Sequence, residues 1–373
     1  MRFLIISHVL HKQVGDQFYG YGPYVKEMNL WLRHVSEVVI LAPKVDGVAP
    51  DPIDLPYVHP SIRMVEVPEF DTLSWLARVK MLFQLPLIFI KTFSQMSRAD
   101  HIHLRCPGNM GLIGSLVQVF FPNKKKSAKY AGNWDPTSPQ PRTYKWQRSI
   151  LSNEFWTRNM KVLVYGDWGK NNRNLLSFFT ASYTSSEKVP IQIRSLTFPL
   201  QLIFVGSLHP GKNPLISCET AKILKEKGLN CQLHLYGEGQ ERKKIQEYID
   251  SNELGRTVVL HGNVNAAELK IAYSKSHFLL FASESEGWPK AVAEAMFWGC
   301  LPLTTRVSCV PQMIGEGSRG DLVDRDPQDL AEKILNYLDH PDLYHQRAQN
   351  AMDWSREFTL EKFETEIQKV LET

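Results

Sequence analysis

Short runs of apolar residues recur along this chain of 373 residues, and several of them stop at a glycine or proline. R-F-L-I-I-S (2–7), E-V-V-I-L-A-P (37–43), H-I-H-L-R (101–105), K-S-A-K-Y-A-G (126–132) and K-V-L-V-Y-G (161–166) read as buried strands. Helix-like stretches at 24–33 and 112–120 separate some of them. The series starts again at Gln201, with L-I-F-V-G (202–206), Q-L-H-L-Y-G (232–237), V-V-L-H-G (258–262), F-L-L-F-A (278–282) and L-P-L-T-T (301–305). Amphipathic stretches at 215–227 and 241–252 lie between strands of this second series. Strand and helix in alternation predict parallel sheets covered on both faces. The restart predicts two doubly wound α/β domains with a junction near 185–200, divided as 1–187 and 188–354, and a helical end at 355–373. Ligands of such sheets bind beyond the C-terminal ends of the strands, here in the cleft expected between the domains.

Length alone argues for more than one core. With 43% hydrophobic and 22% charged residues the chain reads as globular. Cys106, Cys218, Cys231, Cys300 and Cys309 are scattered with no C-x-x-C pair, which argues against a zinc site or disulfide framework and for a reducing, cytoplasmic setting. The apolar run after Arg2 is short and no small-residue cleavage site follows, so it reads as a first strand rather than a signal peptide. The uncharged run 81–90 is far short of a membrane span. Charge is uneven: residues 1–200 carry 24 Lys/Arg against 14 Asp/Glu, and residues 201–373 carry 19 against 25. A basic first half suggests an anionic partner on that side, such as an anionic membrane or a pyrophosphate-linked acceptor. No nucleic-acid motif accompanies it.

The chemistry concentrates in S-E-S-E-G-W-P-K-A-V-A-E-A-M-F-W-G, residues 283–299. Glu286 and Gly287 fall in a loop, Pro289 suits a first helical turn, Glu294 follows within two turns, and Gly299 supplies a stop. Amides of Lys290 and Ala291 at such a helix start favour an anion. Two carboxylates flanking an anion site fit a sugar nucleotide, with charge at its centre and hydroxyls at its ends. The acids, glycines and spacing resemble the E-x7-E signature of retaining glycosyltransferases of the GT-B fold, family 4 (glycosyl transferases group 1).

Other segments extend the resemblance over most of 201–330. V-G-S-L-H-P-G-K-N (205–213) is similar to the family's G-R-L-x-x-x-K-G, with Gly206 and Lys212 in place and Ser207 where the family has arginine. Serine lacks the bidentate charged contact of arginine, so Lys212 with the helix amides, or Arg306 or Arg105, must supply the charge. Y-G-E-G (236–239) and H-G-N-V (261–264) correspond to the loops that frame the base, which implies donor contacts at Gly237, Gly262 and Val264. The segment 301–323 resembles the strand, turn and helix that follow. By the same resemblance Glu286, Gly287 and Trp288 adjoin the donor sugar, Glu294 takes the ribose, and the last helix crosses back onto the first domain. Asp324-Arg325-Asp326 imitates a metal-binding D-x-D but precedes a helix start, where Asp caps; no metal and no cofactor beyond the sugar-nucleotide co-substrate is expected.

In the first half, V-G-D-Q-F-Y-G-Y-G-P-Y (14–24) occupies the place of the family's glycine-rich loop, with Gly20 and Gly22 as its participants. It lacks the dinucleotide G-x-G-x-x-G spacing. Arg105 ends a strand and could hold a phosphate. Asn133 and Asp135, in Y-A-G-N-W-D, stand where the family often has histidine; Asp135 could orient or deprotonate an acceptor hydroxyl and Asn133 hydrogen-bond the sugar, or both could cap the following turn. His101 and His103 share a strand face and read as packing residues. The 75–91 stretch and Lys124–Lys125–Lys126 could rest on an anionic membrane. The resemblance implies retaining transfer from a nucleotide sugar to a glycan or lipid-linked hydroxyl in surface polysaccharide synthesis. A nucleotide-sugar epimerase or hydrolase, or a non-catalytic membrane-associated relative, would share the same motifs.

Overall fold

The computed structural model describes residues 1–51, 53–68, 75–168 and 172–372, with side chains throughout these except at 75–82. The chain divides into two compact units, Met1–Phe179 with Phe363–Thr373, and Thr180–Lys362. The first break comes earlier than the 187/188 division suggested by the strand pattern. Its physical reason lies in the second unit, where residues 180–187 are already bound. Ser182 bonds Glu294, Glu187 pairs with Lys270 at 3.2 Å, and the Ser185 amide donates to Glu361 at 2.9 Å.

The first unit contains β1 (Arg2–Ile6), β2 (His11–Val14), β3 (Gln17–Tyr21), α1 (Gly22–Leu32), β4 (Glu37–Ala42), β5 (Lys44–Asp46), β6 (Asp54–Pro56) and β7 (Ile62–Glu66). There follow α2 (Trp75–Arg98), β8 (His101–Cys106), α3 (Asn109–Val117), β9 (Lys125–Tyr130), α4 (Arg142–Leu151), β10 (Met160–Tyr165) and β11 (Leu175–Phe178). Its main sheet is parallel throughout, in the order β11-β10-β9-β8-β1-β4-β7. Strand order reverses direction at β1 and β8, so the crevice beyond their C-terminal ends is the topological switch point.

The expected glycine-rich loop is instead a hairpin. Strands β2 and β3 pair antiparallel within a second, four-stranded sheet ordered β5-β2-β3-β6. Gly15, at φ +58°, makes the turn. Gly20 lies inside β3, where a Cβ would stand 3.2 Å from Val25 Cγ2, and Gly22 opens α1 against the Ile53 carbonyl. Strand and helix packing therefore account for both glycines.

Lys129 is buried near the end of β9 at 1% exposure, and its ammonium lies 2.6 Å from the Glu27 carboxylate of α1. The rings of Tyr165, Phe178 and Phe363 surround it at 4.8–5.4 Å. Phe363, Ile367, Val370 and Leu371, buried on the final helix (Leu360–Glu372), thus belong to this core. Glu364 on the same helix bonds Arg33 at 2.9 Å and His34 at 3.0 Å.

Three histidines are sealed in this unit: His11 at 0%, His101 at 1% and His103 at 1% exposure. His101 and His103 share the Ser127 hydroxyl, each at 2.8 Å, and pack on Phe3 and Trp31 as the alternation predicts. Burial pushes His11 down to about 4 and His101 to about 3, and holds His103 well below 6.5. The unfolded chain takes up these protons below pH ~6.5 while the folded unit does not, so stability falls as pH drops from about 6.5 towards 4. The slope is about 1.4 kcal/mol per pH unit per histidine, or roughly 4 for the three near pH 5. Urea midpoints measured at pH 7.5 and 5.0 check this, and equal midpoints would refute it.

The second unit contains β12 (Leu200–Val205), α5 (Pro214–Glu226), β13 (Cys231–Tyr236), α6 (Arg242–Ser251), β14 (Val258–Gly262), α7 (Ala266–Lys275) and β15 (Phe278–Phe281). It continues with α8 (Lys290–Phe297), β16 (Leu301–Thr305), α9 (Val310–Met313), β17 (Asp321–Val323), α10 (Pro327–Asp339), α11 (Pro341–Arg356) and the start of α12 (Leu360–Glu372). Its sheet, also parallel, runs β14-β13-β12-β15-β16-β17. Strands β15 and β16 are buried at every residue, which is why they read as unbroken apolar runs. The switch point here lies between β12 and β15.

Asp326 caps α10, its carboxylate accepting from the Gln328 amide at 3.0 Å; Arg325 pairs with Glu284 at 2.8 Å. The D-x-D is thus built into a helix start. All five thiols are free and buried. Among the described residues no helix is long and apolar enough to cross a membrane. Of the 75–91 stretch, the side chains before Phe83 lie outside the described residues. Beyond them Ile88 is core while Phe83 and Ile90 are exposed.

Candidate active site

Two loops leave the second unit's switch point, 206–213 after β12 and 282–289 after β15. One backbone bond and one side-chain bond tie them together. The Glu284 amide donates to Gly211 O at 2.9 Å, and Asn213 Nδ2 donates to Ala282 O at 2.9 Å. Asn213 adopts φ +49° and ends the short turn 210–212 that presents Lys212. The lacing brings the Lys212 ammonium onto the Glu286 carboxylate as an ion pair, with Glu286 at 10% and Lys212 at 29% side-chain exposure. The turn after β16 holds the second loop from the other side: the hydroxyls of Thr305 and Ser308 donate to Ser283 O (2.6 Å) and Gly287 O (3.0 Å).

Helix α8 starts one residue later than the sequence suggests, with Pro289 as the cap residue and Lys290 first in the helix. Pro289 offers no side-chain cap, and the first bonds of the helix run from Val292 and Ala293 back to Pro289 O at 3.1 and 3.3 Å. The amides of Lys290 and Ala291 precede those bonds and form the positive end of the helix. Glu294 follows on the second turn. Its two oxygens accept from Ser182 Oγ at 2.5 Å and from the fully buried Tyr273 hydroxyl at 3.2 Å. Burial and then the Glu294 charge push the Tyr273 phenol well above 10, so it stays a donor to the carboxylate. Neither partner is visible in the motif, because Ser182 is 112 residues away in sequence.

The glycine turns after β12, β13 and β14 form one surface. Gly206 N–H donates to Tyr236 O at 3.0 Å, Gly237 N–H to Gly262 O at 2.8 Å, and Leu208 N–H to Glu238 O at 2.9 Å. Gly237, at φ +135°, backs onto the Gly206 carbonyl so closely that no side chain fits. Val264 lies in the turn before α7, and Ser207 is exposed beside Gly206. Trp288 directs its ring onto Trp354 at 6.3 Å and Phe358 at 5.7 Å, an aromatic cluster of its own unit. Of the cations considered in place of the missing arginine, Arg306 is paired with Glu316 at 3.3 Å on the surface.

Arg105 is the last residue but one of β8, at the switch point of the first unit. Its guanidinium lies 5.1 Å over the Tyr24 ring, and Nη1 is buried with no hydrogen-bond partner. His8, just past β1, adjoins it. Desolvation, then the Arg105 charge, lowers the His8 imidazole below 6.5. His8 is a residue the sequence reading missed, and its position directly after the first strand was the available signal. Asn133 and Asp135 take the capping alternative. Asn133 Oδ1 accepts from the Asp135 amide at 2.9 Å, and Asp135 Oδ1 accepts from the Thr137 amide at 2.8 Å.

Residues 188–354 match the family described as glycosyl transferases group 1. The likeness to this family lies in the second unit and covers less than half of the chain. It is 29% identical to an uncharacterized glycosyltransferase of Methanocaldococcus jannaschii over 171 residues, covering 46% of this chain and 47% of that one. It is 24% identical to the poly(ribitol-phosphate) alpha-N-acetylglucosaminyltransferase of Staphylococcus aureus, covering 68% and 51%. The matched residues thus span about half the length of these curated relatives. Among solved structures, Anabaena HepE in complex with UDP superposes with a TM-score of 0.69 at 14% identity, covering all of both chains. That likeness identifies the fold of this chain as GT-B, two Rossmann-like domains, as its own strand orders already indicate.

Proposed function

We propose that the protein transfers a sugar, with retention, from a nucleoside diphosphate to a hydroxyl of a glycan or lipid-linked acceptor in surface polysaccharide synthesis. The observation that carries this reading is the Lys212–Glu286 pair at the strand switch point, beside the start of α8. The diphosphate lies against Lys212 and the amides of Lys290 and Ala291, which stabilise the charge that grows on the departing oxygen. Glu286 holds Lys212 in place and accepts from donor sugar hydroxyls, and Glu294 accepts from the ribose. The sugar C1–O bond to phosphate breaks, the bond to the acceptor oxygen forms on the same face, and the acceptor proton passes to the leaving phosphate oxygen. With Asn133 and Asp135 in turn caps, this route needs no side-chain base. It also needs no metal, since lysine and the helix start supply the positive charge. A relative named as a putative colanic acid biosynthesis glycosyltransferase of Salmonella typhimurium, the poly(ribitol-phosphate) alpha-N-acetylglucosaminyltransferase, and the complex of HepE with UDP support the substrate class.

Thermal shift with UDP, GDP, ADP and their sugars tests the reading. A nucleotide at about 100 times its Kd adds roughly 2.7 kcal/mol, a rise of about 5–10 °C for a unit of this size. Failure of every nucleotide to raise the Tm would overturn it. Glu294→Ala is expected to weaken the best nucleotide by about ten- to a hundredfold, the cost of a charge-assisted hydrogen bond. Unchanged affinity would remove the ribose assignment alone.

A further inference from the structure

The opposite edge of the first unit's parallel sheet, where β9, β10 and β11 begin, carries a second site. A cavity of about 320 Å3 opens there, lined by Lys125, Lys126, Arg158, Lys161 and Arg173 with one carboxylate, Glu154. Glu154 is engaged by the Arg173 amide at 2.7 Å. Among the described residues Arg158, Lys161 and Arg173 form no ion pair, although all three face one cavity. Lys126 is 2% exposed and donates to Phe121 O at 3.0 Å. Asn174, 6% exposed, lines the same cavity, and its Oδ1 has no partner. Like charges gathered around a small volume repel one another unless an anion joins them. Two guanidinium groups suit the oxygens of a phosphate.

The rim is aromatic. Phe155 and Trp156, between the lining residues Glu154 and Thr157, are 70% and 46% exposed, and the Arg158 guanidinium lies 4.9 Å over the Phe155 ring. Gln118 donates to Trp156 O at 3.0 Å, which brings the 118–120 turn alongside. That turn carries Phe120, 63% exposed, against Phe93 of α2 at 6.2 Å. A soluble phosphate has no use for such a rim. Exposed aromatics beside lysine and arginine match the interfacial layer of a bilayer, with rings at the headgroup level and cations on its phosphates. The basic run 124–126 does not supply this charge as a surface patch. Lys124 is bonded to Ser97 O and Ala99 O at 3.0 and 2.7 Å, and Lys126 is buried.

We propose that this edge of the first unit docks on a membrane, taking the phosphate of an anionic phospholipid headgroup in the Arg158–Lys161–Arg173 cavity and seating Phe120, Phe155 and Trp156 in the interface. The inference rests on the first unit alone and stands independently of sugar transfer. Co-sedimentation of the full chain with phosphatidylcholine vesicles, with and without phosphatidylglycerol, tests it. Binding is expected only with phosphatidylglycerol and is expected to weaken with salt. Arg158→Glu with Lys161→Glu, and separately Phe155→Ser with Trp156→Ser, should each reduce it at least tenfold. Both variants should keep the parental Tm and the parental thermal shift with the best nucleotide, which separates lost docking from lost folding or a failed donor reading. Arg306→Glu, in the second unit, should leave vesicle binding unchanged. Three outcomes overturn the proposal: no binding to anionic vesicles, binding that survives both double variants, or stabilisation by inorganic phosphate or RNA through the same cations without vesicle binding.

Discussion

Lys212→Ala is expected to lower kcat for release of nucleoside diphosphate from the best-binding donor by about 100- to 1000-fold, the usual cost of removing one preorganised group that stabilises leaving-group charge. The loss should be steep because the family arginine is Ser207 in this chain and Arg306 is committed to Glu316. On the proposed function, charge at the diphosphate therefore falls mainly on one ammonium and a helix start. Glu286→Ala should also be severe, through loss of the sugar contact and of the ion pair that positions Lys212. Residues that act as a pair do not add. The double variant is accordingly expected to be little worse than Lys212→Ala alone. Turnover within threefold of the parent in Lys212→Ala would remove this lysine from the mechanism.

A second large effect lies in the core of the first unit. Glu27→Ala leaves the Lys129 ammonium buried among Tyr165, Phe178 and Phe363 without the carboxylate 2.6 Å away. Breaking a buried pair on one side costs about 3–5 kcal/mol, whereas replacing both partners by apolar groups is often near neutral. Urea unfolding should therefore show a marked loss for Glu27→Ala and recovery in Glu27→Ala with Lys129→Met. A loss below about 1 kcal/mol would mean that water reaches the ammonium. Failure of Lys129→Met to rescue would mean that Glu27 matters for another reason.

The second unit was the more legible half. Strands β12, β15 and β16 are buried on both faces, so F-L-L-F and L-P-L-T-T announce themselves without alternation. Glycine turns follow β12, β13 and β14, at the C-terminal strand ends where parallel sheets of this kind bind ligands. The ion pair follows from the strand order, which no motif states. What stayed hidden depends on distant partners. Q-F-Y-G-Y reads as a glycine loop because only one of its partner strands, β2, is local, while β6 on its other side lies more than thirty residues downstream. Ser182 has no local signature as a partner of Glu294, and Lys129 in K-S-A-K-Y looks like a surface charge until Glu27 and Phe363 enclose it. Strand β17 has three residues and β11 four, too short for periodicity to register.

Helix α12 gives the order of synthesis a consequence for folding. The ribosome completes residues 1–179 first, yet the cage around Lys129 stays open until Phe363 and the buried face behind it emerge. Residues 180–362 can meanwhile close a core drawn wholly from their own segment. The half made first is the half finished last, with a charged strand exposed while the rest of the chain is still being translated.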